Sequence, residues 1–91
     1  MYQAIVRPKA RKALARIPRD FQVRIARSLQ ELATDPHPPA CRKLAFGHDI
    51  YRIRVGDYRI IYQVNDVDRV VDVAKIARRD ESTYADLGDL F

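Results

Sequence analysis

Arg52, Arg54 and Arg59 fall within one short stretch, YRIRVGDYRIIYQV at residues 51–64. Arginine carries a planar fork of donors, keeps its charge at any physiological pH and binds phosphate in a bidentate manner. Three of them together point to chemistry on a phosphate. Their spacing says how they are held. The stretch alternates apolar and polar through Val55, breaks at Gly56-Asp57 and resumes at Tyr58, which predicts a β-hairpin. Gly56 would supply the positive φ that a type II′ turn needs first. That register sets Val55 opposite Tyr58, Arg54 opposite Arg59, Ile53 opposite Ile60 and Arg52 opposite Ile61. Side chains alternate with a period of two, so Ile53, Val55, Tyr58, Ile60 and Tyr62 share one face. The three arginines share the other. Like charges directly opposite destabilise a sheet, so this face is expected to serve an anionic ligand.

Three residues further along extend the set. Arg78 and Arg79 follow the last apolar run, and Tyr84 lies five residues beyond Arg79. An aromatic ring beside a phosphate clamp can stack on a base. Nothing suggests a metal site or another cofactor: the single cysteine, Cys41, has no Cys or clustered His nearby and reads as an inert thiol. His37 lies between prolines and His48 in a Gly-His-Asp turn, and both read as solvated loop residues. Tyr51, Tyr58 and Tyr62 follow the apolar face and read as packing residues.

The rest of the chain suits the same ligand. Its net charge is +5 and its pI near 9.7. Residues 1–27 carry eight basic side chains (Arg7, Lys9, Arg11, Lys12, Arg16, Arg19, Arg24, Arg27) against one acid, Asp20. A nucleic-acid backbone is the simplest large anion for such a segment, and Arg7, Lys9, Arg11, Lys12 and Arg78 are candidate RNA contacts. Residues 80–91 reverse the sign, with Asp80, Glu81, Asp86 and Asp89 and no base. Hydrophobic residues are 47% and charged residues 32%, a composition expected of one soluble globular domain over 1–91. No apolar run approaches the roughly 18 residues of a membrane span, and no signal-peptide core is evident, so a reducing cytoplasm is expected.

The elements that would position the arginines follow from periodicity. Tyr2 to Arg7 reads as a strand ended by Pro8. Ala10, Ala13, Leu14 and Ile17 form one helical stripe, interrupted by Pro18. Phe21, Ile25, Ser28, Leu29 and Leu32 form a second, closed by Asp35-Pro36, because the residue before proline is pushed out of the α region. His37-Pro38-Pro39 is a stiff connector, and Cys41 to Phe46 a short strand or loop. After the hairpin, Asn65 to Asp68 is a turn, Val70 to Ile76 a strand buried on both faces, and Ser82 to Phe91 an acidic tail with room for a helical turn. The order βααβββ predicts an α+β fold, an antiparallel sheet with an N-terminal helical hairpin on one face.

With these segments in view, the chain resembles the RelE/ParE toxin superfamily over its whole length. Lys43-Leu44, YRIRVGDYRIIYQV at 51–64 and VVDVAKIARRDESTY at 70–84 carry the resemblance. It implies a toxin of a type II toxin–antitoxin system with the RelE-like microbial RNase fold, bound in the cell by a cognate antitoxin in a hetero-oligomer. The RelE-like branch implies a ribosome-dependent mRNA endonuclease that works without a metal, driving the ribose 2′-hydroxyl onto its own 3′ phosphate. The ParE-like branch implies inhibition of DNA gyrase without nuclease chemistry. In the RelE branch the catalytic positions match Arg52, Arg54, Arg59, Arg79 and Tyr84. The implied roles are stabilisation of the phosphorane by Arg59 and Arg79, neutralisation or leaving-group assistance by Arg54, and base stacking by Tyr84. Both hairpin positions often hold lysine in that branch, whereas here they are arginine, which does not act as a base. The base would then be Tyr84, Glu81 or a ribosomal group, or be replaced by positioning. Ala77 stands where many members have glycine or histidine.

Overall fold

In the computed structural model, which describes residues 1–45 and 47–78, the chain runs β1 (Gln3–Val6), α1 (Pro8–Ala15), α2 (Arg19–Thr34), β2 (Arg42–Lys43), β3 (Ile50–Val55), β4 (Tyr58–Asn65) and β5 (Val70–Arg78). The five strands form one sheet in the order β1-β5-β4-β3-β2. β2 to β5 run as an antiparallel meander. β1 lies parallel to β5, so the expected antiparallel sheet is a mixed one. The reason is the path of the chain. After β1 the two helices carry it to the far edge, the meander returns strand by strand, and β5 arrives beside β1 in the same direction.

Prolines set the helix ends. Pro8 occupies the first turn of α1, where its missing N–H is no loss. Pro18 is the N-cap of α2, and Asp35, ahead of Pro36, is extended and closes it. Gln22 then locks the hairpin of helices by donating from Nε2 to the carbonyls of Leu14 (2.9 Å), which also accepts the Ile17 N–H, and Ala15 (3.2 Å) at the end of α1.

The core lies between the helices and one sheet face. Ala10, Ile17, Ile25, Leu29 and Leu32 pack there against Ile53, Val55, Tyr58, Ile60, Tyr62, Val64, Val71, Val73 and Ile76. Tyr62 is wholly buried and donates its hydroxyl proton to the Pro36 carbonyl at 2.9 Å, tying β4 to the end of α2. Burial pushes that phenol's pKa strongly upward. Tyr51 stacks on Tyr62 at 5.8 Å between centroids, and His37 meets Tyr51 edge-on at 4.8 Å. The expected packing role of the hairpin tyrosines is what the fold uses.

The hairpin turn shows why Gly56 stands where it does. Its φ is +58°, and a Cβ there would lie 2.5 Å from Phe21 Cε1. Phe21 itself meets Tyr58 edge-on at 5.1 Å. The turn is thus tucked beneath α2, and only glycine fits.

Candidate functional site

The other face of the sheet is not covered by the helices, and the β3–β4 register decides what it presents. Arg54 pairs with Arg59 and Arg52 with Ile61, as the alternation requires. Ile50 and Ile61 are fully buried on this face and pack with Leu44, which forms a small apolar floor beneath the cations. Arg59 is central: it lies directly opposite Arg54 and diagonal to Arg52, a spacing of about 7–8 Å that long side chains bridge. Arg52 and Arg59 are half-buried and Arg54 is exposed. The Nε of Arg52 is buried and has no hydrogen-bond partner among the described residues. Leaving such a donor unmet costs about 1–3 kcal/mol, which an anionic ligand would recover.

Two cations that sequence reasoning missed join this face. Arg42 in β2 pairs with Arg52, which adds a positive charge at the sheet edge. Lys75 in β5 pairs with Ile61 of β4, the strand that lies between it and Arg52. Its arrival depends on a β-bulge: Tyr62 pairs with Val73 and Ile61 with Lys75, so Ala74 is an extra residue on β5. Before the bulge Val71 and Val73 face the core. Beyond it Ile76 faces the core, while Lys75 and Ala77 turn to the arginine face. Lys75 is half-buried there, diagonal to Arg59 across the β4–β5 pair, and Ala77, directly opposite Arg59, is too small to crowd it. Bulges re-aim side chains in this way beside active sites.

The remaining candidates are spread more widely. Arg7 closes β1 and holds Asp72 with two parallel bonds, Nε to Oδ1 at 3.0 Å and Nη2 to Oδ2 at 2.7 Å. Asp72 follows Gln63 on the arginine side of β5, so Arg7 stands at the margin of that face. Lys9, Arg11 and Lys12 are exposed on α1, on the opposite side of the sheet. Arg78 pairs with Tyr58 and lines a cleft with Ala13, Arg16, Ile17 and Ile76 at the helix side of the sheet end. The cations of α1 and the arginine face are therefore two separate surfaces, with Arg7 at the margin of the second. Arg79, Glu81 and Tyr84, and the expected helical turn in the acidic tail, lie outside the described residues.

His48 is exposed, and its carbonyl accepts a bond from Gln63 Nε2 at 3.0 Å. Cys41 is a free thiol. Among the described residues no group of three or more His, Cys, Asp or Glu could hold a metal, and no helix is long and apolar enough to cross a membrane.

A two-helix layer on one face of a five-stranded mixed sheet is the architecture of RelE structures. The archaeal RelE–RelB complex from Pyrococcus horikoshii matches with a TM-score of 0.79 at 31% identity, over 89% of this chain and 98% of the matched chain. The intact Escherichia coli RelBE toxin–antitoxin complex matches with a TM-score of 0.78 at 25% identity, over 89% and 100%. In sequence, an Escherichia coli protein named as a RelE-like toxin is 30% identical over 88 residues, or 94% of this chain and 92% of that protein. The family model for the ParE toxin of type II toxin–antitoxin systems (parDE) matches residues 4–83. The chain belongs to this family, and is a type II toxin of RelE/ParE type.

Proposed function

We propose that the protein is a ribosome-dependent mRNA endonuclease that cleaves translated message by metal-independent attack of a ribose 2′-hydroxyl. The observation that carries this reading is the concentration of Arg52, Arg54 and Arg59 on the sheet face the helices leave open. Such a face suits the most demanding part of the reaction, the extra negative charge on the phosphorane. Donors fixed in advance on rigid strands, aimed at charge as it develops, are usually the largest single source of acceleration. Arg59, at the centre, and Arg79 stabilise the non-bridging oxygens. Arg54 neutralises the leaving oxygen, Arg52 holds the neighbouring phosphate and Tyr84 stacks on a base.

Arg7, Lys9, Arg11, Lys12 and Arg78 serve as outlying contacts to message or ribosomal RNA. The toxin acts in the cytoplasm. Its partner between bouts of activity is a cognate antitoxin that covers the arginine face with acidic side chains, in a toxin–antitoxin hetero-oligomer. The Pyrococcus horikoshii and Escherichia coli structures, each a complex of RelE with RelB, support the expectation of an antitoxin partner.

The test is an in vitro translation extract given the purified toxin. Message should be cut only while it is being translated, with no divalent-metal requirement beyond that of the ribosome. Arg59→Ala should abolish cutting, whereas Arg16→Ala, on the far side of the sheet, should reduce it only modestly. Intact message during a translation arrest would sink the reading. The family model, a ParE model, favours one competing function, inhibition of DNA gyrase with no nuclease chemistry. Accumulated gyrase–DNA cleavage complexes, with message left whole, would identify it.

A further inference from the structure

We infer that Lys75 is the proton acceptor for the attacking 2′-hydroxyl, an inference that rests on the endonuclease reading. The hairpin itself offers only arginines, and a guanidinium cannot take up a proton under ordinary conditions. An amine can. Among the described residues of the arginine face, Lys75 is the one lysine: its cationic companions are Arg42, Arg52, Arg54 and Arg59, and the carboxylate on that side of β5, Asp72, is held by Arg7.

Its placement is specific. Continuous alternation along β5 would set Lys75 on the core side with Val71 and Val73, where an ammonium has no place. The extra residue, Ala74, turns it to the arginine face instead. There it sits diagonal to Arg59 on one side of Ile61, with Arg52 directly across Ile61 on the other. The buried Ile61 side chain forms the floor between them. A phosphate held by Arg59 and Arg52 would lie over that floor, within reach of Lys75 from the β5 side. The lysine is half-buried and stands on an interior strand, so it is anchored as general-base catalysis requires.

In the step assigned to it, the Lys75 amine accepts the 2′-hydroxyl proton as the 2′ oxygen forms its bond to phosphorus. The bond from phosphorus to the 5′ oxygen breaks, and that oxygen takes a proton from water. The products are a 2′,3′-cyclic phosphate and a 5′-hydroxyl, and the hydroxide left from water returns the Lys75 ammonium to the amine. The arginines carry the charge throughout and exchange no proton.

The experiment compares wild type, Lys75→Arg, Lys75→Gln and Lys75→Ala for single-turnover cleavage of message on purified ribosomes across a pH series. Lys75→Arg keeps the charge and removes the base. It should lose about 10²–10⁴-fold in cleavage rate, the usual worth of a positioned general base. Cleavage by wild type should rise with pH, and that dependence should be flatter in all three variants. Added methylamine should restore cleavage to Lys75→Ala, and added guanidinium should not. Circular dichroism melts establish that each variant is folded, and if Lys75→Ala is not, the Lys75→Arg rate decides alone. Wild-type rates in Lys75→Arg would overturn the assignment and leave Lys75 a counter-charge. Loss in Lys75→Gln with retention in Lys75→Arg would overturn it equally. If wild-type toxin cuts no message on ribosomes, the endonuclease reading itself fails and this inference falls with it.

Discussion

Val73 and Lys75 are two residues apart on one strand yet belong to opposite faces of the sheet. In a regular strand they would share a face. The register Tyr62–Val73 followed by Ile61–Lys75 skips Ala74, and that one unpaired residue moves a cation out of the core and onto the arginine face. Ala74 is 2% exposed, so the bulge is packed and not a frayed end.

Deleting Ala74 makes the β4–β5 ladder continuous while leaving Val73 opposite Tyr62 and Lys75 opposite Ile61. The chain should therefore still fold with the same residues on each face. The lost packing should cost about 1 kcal/mol, a fall of about 4–8 °C in Tm for a domain of this size. The local twist that the bulge imposes disappears, so toxicity should fall much further than stability does. Thermal melts alongside growth-arrest assays check this, and an unfolded deletion variant would show that the bulge has a structural role the ladder alone does not reveal.

The sequence made the hairpin fully legible and the bulge almost not at all. Gly56-Asp57 fixes the β3–β4 register because the turn joins residues that are adjacent in the chain, so alternation alone assigns each side chain to its face. The helix ends were equally plain, since Pro8, Pro18 and Pro36 act through local sterics. Pairing between distant segments leaves no such mark. β1 beside β5, and Arg42 opposite Arg52, are settled by packing of the whole sheet. One clue was present: Val71, Val73 and Lys75 place a charge where the alternation asks for a core residue, and that conflict is the trace of the bulge.

Gly56→Ala should be among the most damaging surface substitutions in this chain. The left-handed backbone costs a non-glycine residue about 1–2 kcal/mol by itself. The new methyl would also meet Phe21 Cε1 at 2.5 Å, so α2 or the Phe21 ring must shift. A total loss of about 2–3 kcal/mol is expected, read from urea denaturation. In a Phe21→Ala background the same change should cost less, because only the backbone term remains. Equal costs in the two backgrounds would mean that the turn does not press on α2.

The Arg7–Asp72 pair bridges the one parallel junction in the sheet. Both side chains are about 30% exposed (31% and 28%), and the geometry is bidentate. A double-mutant cycle with Arg7→Ala and Asp72→Ala should give a coupling of about 1 kcal/mol, the upper end for an ion pair open to solvent. The coupling should shrink as salt is raised, since water reaches the pair. A salt-independent coupling would point to buried hydrogen bonding in place of charge.

Alkaline stability offers a test of the Tyr62 environment. Burial holds the folded-state phenol well above its ordinary value of 10.0, whereas the unfolded chain ionises near that value. Above about pH 10 the unfolded state therefore binds fewer protons than the folded state, and stability falls as pH rises. One such group contributes a slope approaching about 1.4 kcal/mol per pH unit. Tyr62→Phe removes the titrating hydroxyl and the bond to the Pro36 carbonyl at 2.9 Å. At neutral pH the variant should be less stable by about 1–2 kcal/mol, because that buried carbonyl loses its donor. Between pH 9 and 11.5 its stability should decline less steeply than that of wild type, so the two curves converge. Urea denaturation at each pH measures both. Parallel curves would show that the Tyr62 hydroxyl is open to water, contrary to the packing of β4 against the end of α2.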